Sequence, residues 1–371
     1  MRLTFAILTA AGLGAAVAAS ADIIETEAGP MAVTPIVTGL NEPWGFDTLP
    51  DGGILITERA GSLLLVRDGR ATRIDGLPDM AIGGQGGLLD VLVPSDHAQT
   101  GLIFFTFSKP GGLMGGSHTA AMRAKLNADQ TALTDVEIIF EGADPSRSGR
   151  HFGSRLVEAP DGTLFVTIGD RGDPERAQDV GSHAGKIVRI AQDGSIPSDN
   201  PFLGKDGVLP EIYSWGHRNP QGAALDAKGQ LWTAEHGAAG GDEINKIRRG
   251  INYGWPTISY GVNYNGSPIG EGTEKEGLAQ PESFWDPSMA PSGMVFYDGD
   301  ANPDWQGDAF VGSLKFGYVA RLSGTPLAEV ERIQGVQTGR VRDVDVGPDG
   351  ALWYLSVIDG ALYSLAPAQG G

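Results

Sequence analysis

"SRLVEAPDGTLFVTIGD", residues 154–170, places two alternating apolar runs on either side of a Pro-Asp-Gly turn. Successive side chains of a strand point to opposite faces, and Pro-Asp-Gly presets a tight reversal, so the stretch reads as a β-hairpin. The pattern returns in "WGFDTLPDGGILITERAGSLLLV" from Trp44, in "QGAALDAKGQLWTAEHG" from Gln221 and in "VRDVDVGPDGALWYLSV" from Val341. Weaker copies, "LLDVLVPSDHAQTGLIFFTFS" from Leu88 and "GMVFYDGDANPDWQGDAFVGSL" from Gly293, fill the long gaps. The turns at Pro50, Pro94, Pro160, Ala227, Asp298 and Pro348 lie 44 to 71 residues apart. A sheet repeated in this way buries its faces only against its neighbours, which predicts an all-β, six-bladed β-propeller. A large β-sandwich, the rival all-β architecture, leaves the recurrent hairpin unexplained.

The remaining composition agrees. With 56 Gly and 23 Pro among 371 residues, turns are frequent, and no long stretch after the N-terminus carries a 3.6-residue apolar period. Length alone permits two average domains or one large one; the repeat favours a single propeller over 22–371. Residues 1–21, "MRLTFAILTAAGLGAAVAASA", place one Arg before a short apolar run and small residues at its end. This is the pattern of a secretory signal cleaved after Ala21, and it predicts a periplasmic or secreted protein. The apolar run is shorter than the roughly 20 residues of a membrane span. There is no cysteine, so stability has to come from packing, bound metal or both. A net charge of -19 argues against a nucleic-acid partner, suits a calcium-tolerant protein and identifies no substrate.

In a propeller the innermost strands converge on a central channel, and loops at one end form a cleft that gathers residues distant in sequence. Four stretches carry candidate chemistry there. His151 enters the hairpin of residues 154–170 and Asp170 leaves it, so a strand out and a strand back return the carboxylate toward the imidazole. Such a pair suits a general base, although spacing alone favours a structural bond at a blade corner. "GHRNPQG", residues 216–222, holds His217, Arg218, Asn219 and Gln221 around Pro220. Arg and Asn grip carboxylate and carbonyl oxygens, although a capped structural turn fits the spacing as well. Lys315 stands in "GSLKFGY", and Arg340 and Arg342 in "GRVRDVDV" alternate onto one strand face. These cations suggest an anionic ligand or cross-strand salt bridges. Finally, "EHGAAGGDEINKIRRGINYGWP", residues 235–256, offers glycine-rich backbone carbonyls at Gly237, Gly240 and Gly241, with the Glu243 carboxylate, to a hard cation such as Ca²⁺. "DGDANPDWQGD" from Asp298 has Pro303 and Ala309 where a calcium loop needs Gly and Glu, and reads as a blade turn.

"GQGGLLDV", "HFGSRLVEAPDGTLFVTIGD", "GKIVRIAQDGSIPSDNPF", "GHRNPQGAALD", "GGDEINKIRRGINYGWP" and "GRVRDVDVGPDG" occur in this order. Together they resemble the soluble quinoprotein sugar dehydrogenases, over about residues 39–365, and the compact length is similar to the aldose sugar dehydrogenase branch. The resemblance implies a six-bladed propeller that binds pyrroloquinoline quinone (PQQ) and Ca²⁺, oxidises aldoses at C1 to lactones and passes electrons to an external acceptor. It implies His151 as general base, Asp170 as its orienting partner and Gln85 in the sugar and cofactor cleft. Arg218 and Asn219 would contact the quinone oxygens, Arg218 also polarising the quinone carbonyl in catalysis, and Lys315, Arg340 and Arg342 would neutralise its three carboxylates. The carbonyls of Gly237 and Ala238 would hold the bridging Ca²⁺, while Glu243 and the Tyr253 carbonyl would belong to a second, structural Ca²⁺ site. The chain departs from the pattern at Arg150, where the glucose enzyme carries an acid, and at Ala238, where proline is common. Trp285 is a candidate aromatic shelf for sugar. Two other functions suit the fold: a calcium-dependent lactonase or other hydrolase, and a non-catalytic carbohydrate-binding propeller. The first would not need Lys315, Arg340 and Arg342 aimed at a tricarboxylate, and in the second the pairing of His151 with Asp170 would be incidental.

Overall fold

Each of the six hairpins forms the first two strands of a sheet in the computed structural model, which describes residues 22–143 and 145–368. The proposed signal, 1–21, lies outside the described residues. Blade 1 contains Pro43–Thr48, Ile54–Glu58, Ser62–Arg67 and Arg70–Ile74. Blade 2 contains Leu88–Leu92, Leu102–Pro110, Ser117–Leu126 and Leu133–Glu141, and blade 3 Leu156–Glu158, Leu164–Ile168, Lys186–Ile190 and Ile212–Trp215. Blade 4 follows with Pro220–Leu225, Leu231–Glu235, Asp242–Lys246 and Ser283–Trp285, and blade 5 with Pro291–Phe296, Ala309–Ser313, Val319–Ser323 and Ala328–Ile333. Strands within each of these five blades pair antiparallel in sequence order; in blade 3, for example, Leu156 faces Val166 and Val166 faces Val188.

Blade 6 is assembled from both ends of the chain. Val341–Val346, Leu352–Ser356 and Ala361–Pro367 are completed by Gly29–Thr38, which pairs from Met31↔Pro367 to Thr38↔Ala361, with Asp22–Thr26 as a fifth strand. The sequence reading did not place these N-terminal strands. The first strands touch one another around the ring, and Val341–Val346 returns to Pro43–Thr48. The result is the expected six-bladed propeller, with almost no helix.

Alternation explains the core. One apolar cluster fills each of the six blade interfaces: Phe104 and Ala121 of blade 2, for instance, pack against Leu164, Val166 and Val188 of blade 3. Both faces of most inner strands are therefore covered, and Leu164–Ile168 is buried at every position. Chemistry is left to the strand ends. Two kinds of position recur at one mouth of the channel: residues entering a blade's first strand, and residues leaving its second.

Candidate active site

A cleft of about 930 Å³ opens at that mouth. Its walls are built from strand entries, namely Trp44, Gln85, Asn219, Ser288 and Arg342, and from strand exits, namely Arg59, His236 and Lys315. Of the residues selected from sequence, Gln85, Asn219, Gly237, Ala238, Lys315, Arg340 and Arg342 all line it. His151, Asp170 and Arg218 stand directly behind this wall. His151 donates its backbone N–H to Gln85 Oε1 at 2.6 Å, and the Arg218 Nη1 donates to the His236 carbonyl at 3.3 Å.

The hairpin of blade 3 does return Asp170 to His151. His151 Nδ1 lies 2.6 Å from Asp170 Oδ1, which also accepts the Gly172 N–H at 2.7 Å, and Trp255 Nε1 donates to Asp170 Oδ2 at 2.9 Å. Burial alone would raise the Asp170 pKa, but the His151 hydrogen bond and charge, the Gly172 N–H and Arg218 hold it below the usual carboxylate range. An ionised carboxylate only accepts, so His151 carries its proton on Nδ1 and leaves the lone pair on Nε2. Burial lowers the His151 pKa despite Asp170, and Arg218 and Arg150 add to the effect. The imidazole is therefore neutral at pH 7, oriented, and competent to take a proton.

The loop 216–222 divides its side chains. Arg218 and Asn219 face the site: the Arg218 guanidinium lies 5.2 Å from the Trp255 ring centroid, and its buried Nε has no partner among the described residues. Asn219 accepts the Gly153 N–H on Oδ1 at 3.1 Å, which leaves its amide NH₂ toward the cleft. The Asp170 N–H donates to the Arg218 carbonyl at 2.8 Å, tying this loop to the dyad. His217 turns the other way. It is fully buried between Ser214 Oγ and Glu235 Oε2, stacked on Tyr253, with its pKa lowered to about 3 by burial and Lys186.

Lys315, Arg340 and Arg342 form no ion pair with a carboxylate among the described residues. Arg155, by contrast, is paired between blades, with Asp90 of blade 2 at 2.8 Å and Asp343 of blade 6 at 3.0 Å. Half-buried Arg342 lies 4.5 Å over the Trp44 ring, and burial together with Arg155 and Arg340 brings its pKa down to about 9. Three uncompensated cations on one wall fit a ligand with several carboxylates.

Gly237 is required where it stands, since a Cβ there would come within 2.2 Å of the Gly240 carbonyl oxygen. This tight fold-back places the backbone of Gly237, Ala238 and Gly240 in the cleft wall. Glu243 and Tyr253 do not reach the main cleft; with Glu235 and Gly241 they enclose a small cavity behind it. Burial pushes the Glu235 and Glu243 pKa values up to about 8, and Glu235 adds its charge to the effect on Glu243. Two mutually repelling carboxylates beside backbone carbonyls are a donor set that suits Ca²⁺. The described residues hold no group of three or more His, Cys, Asp or Glu side chains arranged for a metal, so any site here draws on backbone oxygens.

Trp285 is not a shelf in the cleft. It packs in the core between blades 4 and 5, 8% exposed, with Nε1 donating to Glu329 Oε2. The exposed aromatic on the cleft is Tyr264. Arg150 is exposed and outside the lining. Trp44, His236 and Trp255 were missed, yet Trp44 in "PWGFD" occupies the register of Arg342 in "VRDVD", and His236 follows its strand as Asp170 follows its own.

The chain belongs to the Glucose / Sorbosone dehydrogenase family, which matches residues 40–364. It is 41% identical over 325 residues to aldose sugar dehydrogenase YliI of Escherichia coli, covering 85% of this chain and 87% of that one. The apo-form crystal structure of the soluble aldose sugar dehydrogenase from Escherichia coli superposes with a TM-score of 0.86 at 39% identity, covering 91% and 99% of the two chains. The PQQ-bound form of an aldose sugar dehydrogenase from Streptomyces coelicolor gives a TM-score of 0.74 at 28% identity, covering 91% and 98%. Among the described residues no helix is long and apolar enough to cross a membrane.

Proposed function

We propose that this protein, a single propeller over 22–371 exported to the periplasm or beyond, is a PQQ- and Ca²⁺-dependent aldose sugar dehydrogenase that oxidises C1 to a lactone. The observation that carries the reading is one cleft lined by Asn219 and by three cations without a carboxylate partner, Lys315, Arg340 and Arg342, with Arg218 and the His151–Asp170 dyad bonded to its wall through His236 and Gln85. The cations would hold the three cofactor carboxylates, Arg218 and Asn219 the quinone oxygens, and the Gly237 and Ala238 carbonyls the Ca²⁺. Bound there, the metal and quinone would supply the electrophilic hydride acceptor. His151 Nε2 takes the proton of the anomeric hydroxyl as C1 gives up its hydride, and Asp170 stabilises the imidazolium that results. Buried Asn219 and Arg218, fixed by Gly153 and His236, cost no reorganisation when charge develops beside them. Reoxidation would fall to an external electron acceptor.

Cofactor-free protein given Ca²⁺ and PQQ is expected to reduce an artificial dye when aldoses are supplied. Lactone hydrolysis without dye reduction at saturating cofactor would turn the assignment to a hydrolase. Because the base works as neutral imidazole, kcat/KM should fall as the pH drops through an apparent pKa below the ordinary histidine value of about 6.5. An acid limb centred above that value contradicts the burial seen here.

Glu243 and the Tyr253 carbonyl are proposed, with Glu235, as the second Ca²⁺ site. Ca²⁺ should raise the melting temperature of the wild type and have a smaller effect on Glu243→Gln, read by thermal unfolding with and without chelator. Equal shifts in both proteins would remove Glu243 from that site.

A further inference from the structure

Arg171 follows Asp170 and is 2% exposed, with no carboxylate partner among the described residues. Its guanidinium centre lies 3.3 Å from the Phe152 ring centroid. Nη2 donates to the carbonyls of Ser148 at 3.2 Å and Ser117 at 3.3 Å, and to Ser117 Oγ at 3.4 Å, while Nη1 donates to the Arg150 carbonyl. Burying a cation among carbonyls alone is costly, and here burial brings its pKa down to about 9.

The Arg150 carbonyl and the His151 N–H belong to one peptide unit, which is planar. Arg171 holds the oxygen end and Gln85 Oε1 holds the nitrogen end, at 2.6 Å. Fixing both ends fixes the orientation of that plane. His151 leaves it with φ at 57°, in the left-handed region that non-glycine residues rarely adopt. A conformation of this kind persists only where its surroundings over-determine it.

We propose that Arg171 is a positioning residue for His151: with Gln85 it clamps the peptide that precedes the base, setting the backbone from which the imidazole meets Asp170. This rests on the reading of His151 as the base. Neighbours Asp170 and Arg171 then divide the work, the carboxylate holding the ring and the guanidinium the main chain. The device depends on the planar fork of arginine, which grips several carbonyls at fixed angles; a lysine offers a point charge on a flexible stem. Shape rather than charge is at issue, since the charges bearing most on the His151 imidazole are those of Asp170, Arg218 and Arg150.

The test compares Arg171→Lys and Arg171→Met with wild type. In cofactor-free protein, proton NMR reads the His151 Nδ1 proton, which a 2.6 Å bond to a carboxylate shifts downfield and protects from exchange. Reconstituted with PQQ and Ca²⁺, the same proteins give kcat and KM for an aldose. Both variants should lose the protected signal and roughly 30- to 100-fold in kcat, with sugar KM within about two-fold. Arg171→Lys keeps charge and bulk, so it carries the comparison if the methionine variant does not fold. Wild-type kcat with an intact Nδ1 signal in Arg171→Lys overturns the proposal. His151→Ala with undiminished turnover would instead sink the base assignment, while the NMR signal of the Arg171 variants still reports on the clamp.

Discussion

His151→Ala is expected to bind PQQ as tightly as the wild type and to lose about 10²- to 10⁴-fold in kcat, the range that a positioned general base contributes. The separation of binding from turnover follows from the architecture. His151 is bound to Asp170 and Gln85, whereas the residues assigned to the cofactor carboxylates, Lys315, Arg340 and Arg342, come from blades 5 and 6 and touch neither. Truncating the imidazole leaves those cations in place. Asp170→Asn should be nearly as damaging, because a carboxamide can present its NH₂ to Nδ1, which then accepts and moves the ring proton to the working nitrogen. Stopped-flow reduction by an aldose, with PQQ affinity measured separately by titration, checks both. Turnover within about three-fold of wild type in His151→Ala would transfer the role to another group.

Arg342→Ala should act in the opposite sense, on affinity before rate. Removing one partner of a desolvated charge pair costs about 2–5 kcal/mol, or roughly 30- to 4,000-fold in Kd for PQQ. Arg342 is half-buried, stacked over Trp44 and depressed in pKa by burial and by its cationic neighbours, which is the setting in which a counter-charge is worth most. Lys315 is exposed, with only the Phe316 ring 4.8 Å from Nζ, so Lys315→Ala should cost less, about 1 kcal/mol or below. Trp44 gives the readout, since a ligand docking on Arg342 changes the surroundings of its indole. At saturating PQQ the Arg342→Ala enzyme should recover most of its kcat. An unchanged Kd would mean that the anion sits elsewhere and would remove the main support for the redox reading.

The sequence made the hairpins legible because both signals are local: alternation over five or six residues, and a turn whose chemistry is fixed by Pro, Asp and Gly. It also revealed most of the cleft. Polar residues where apolar alternation starts or stops, such as Asn219, Lys315 and Arg342, have no core to enter and must face the channel mouth. Non-local features stayed hidden. Nothing in "GPMAVTPIVT" says that its partner strand begins at Ala361, and nothing around Trp255 says that its indole will reach Asp170. Aromatic residues were hardest to place: Trp285 entered the core and Tyr264 stayed outside, a choice made by packing between blades 4 and 5 rather than by any pattern within a strand. His217 shows the same limit. Its neighbours Arg218 and Asn219 face the site, while a serine and a glutamate from adjoining strands draw it inward.

The pairing of Gly29–Thr38 with Ala361–Pro367 has a temporal consequence. A polypeptide emerging from its N-terminus presents Gly29–Thr38 long before Ala361–Pro367, so the circle stays open until the later strand has been made. Arg340 and Arg342 lie just before that late half. The capacity to capture the quinone should therefore arrive abruptly once Ala361–Pro367 is in place, and a product stalled before Arg340 should have none of it.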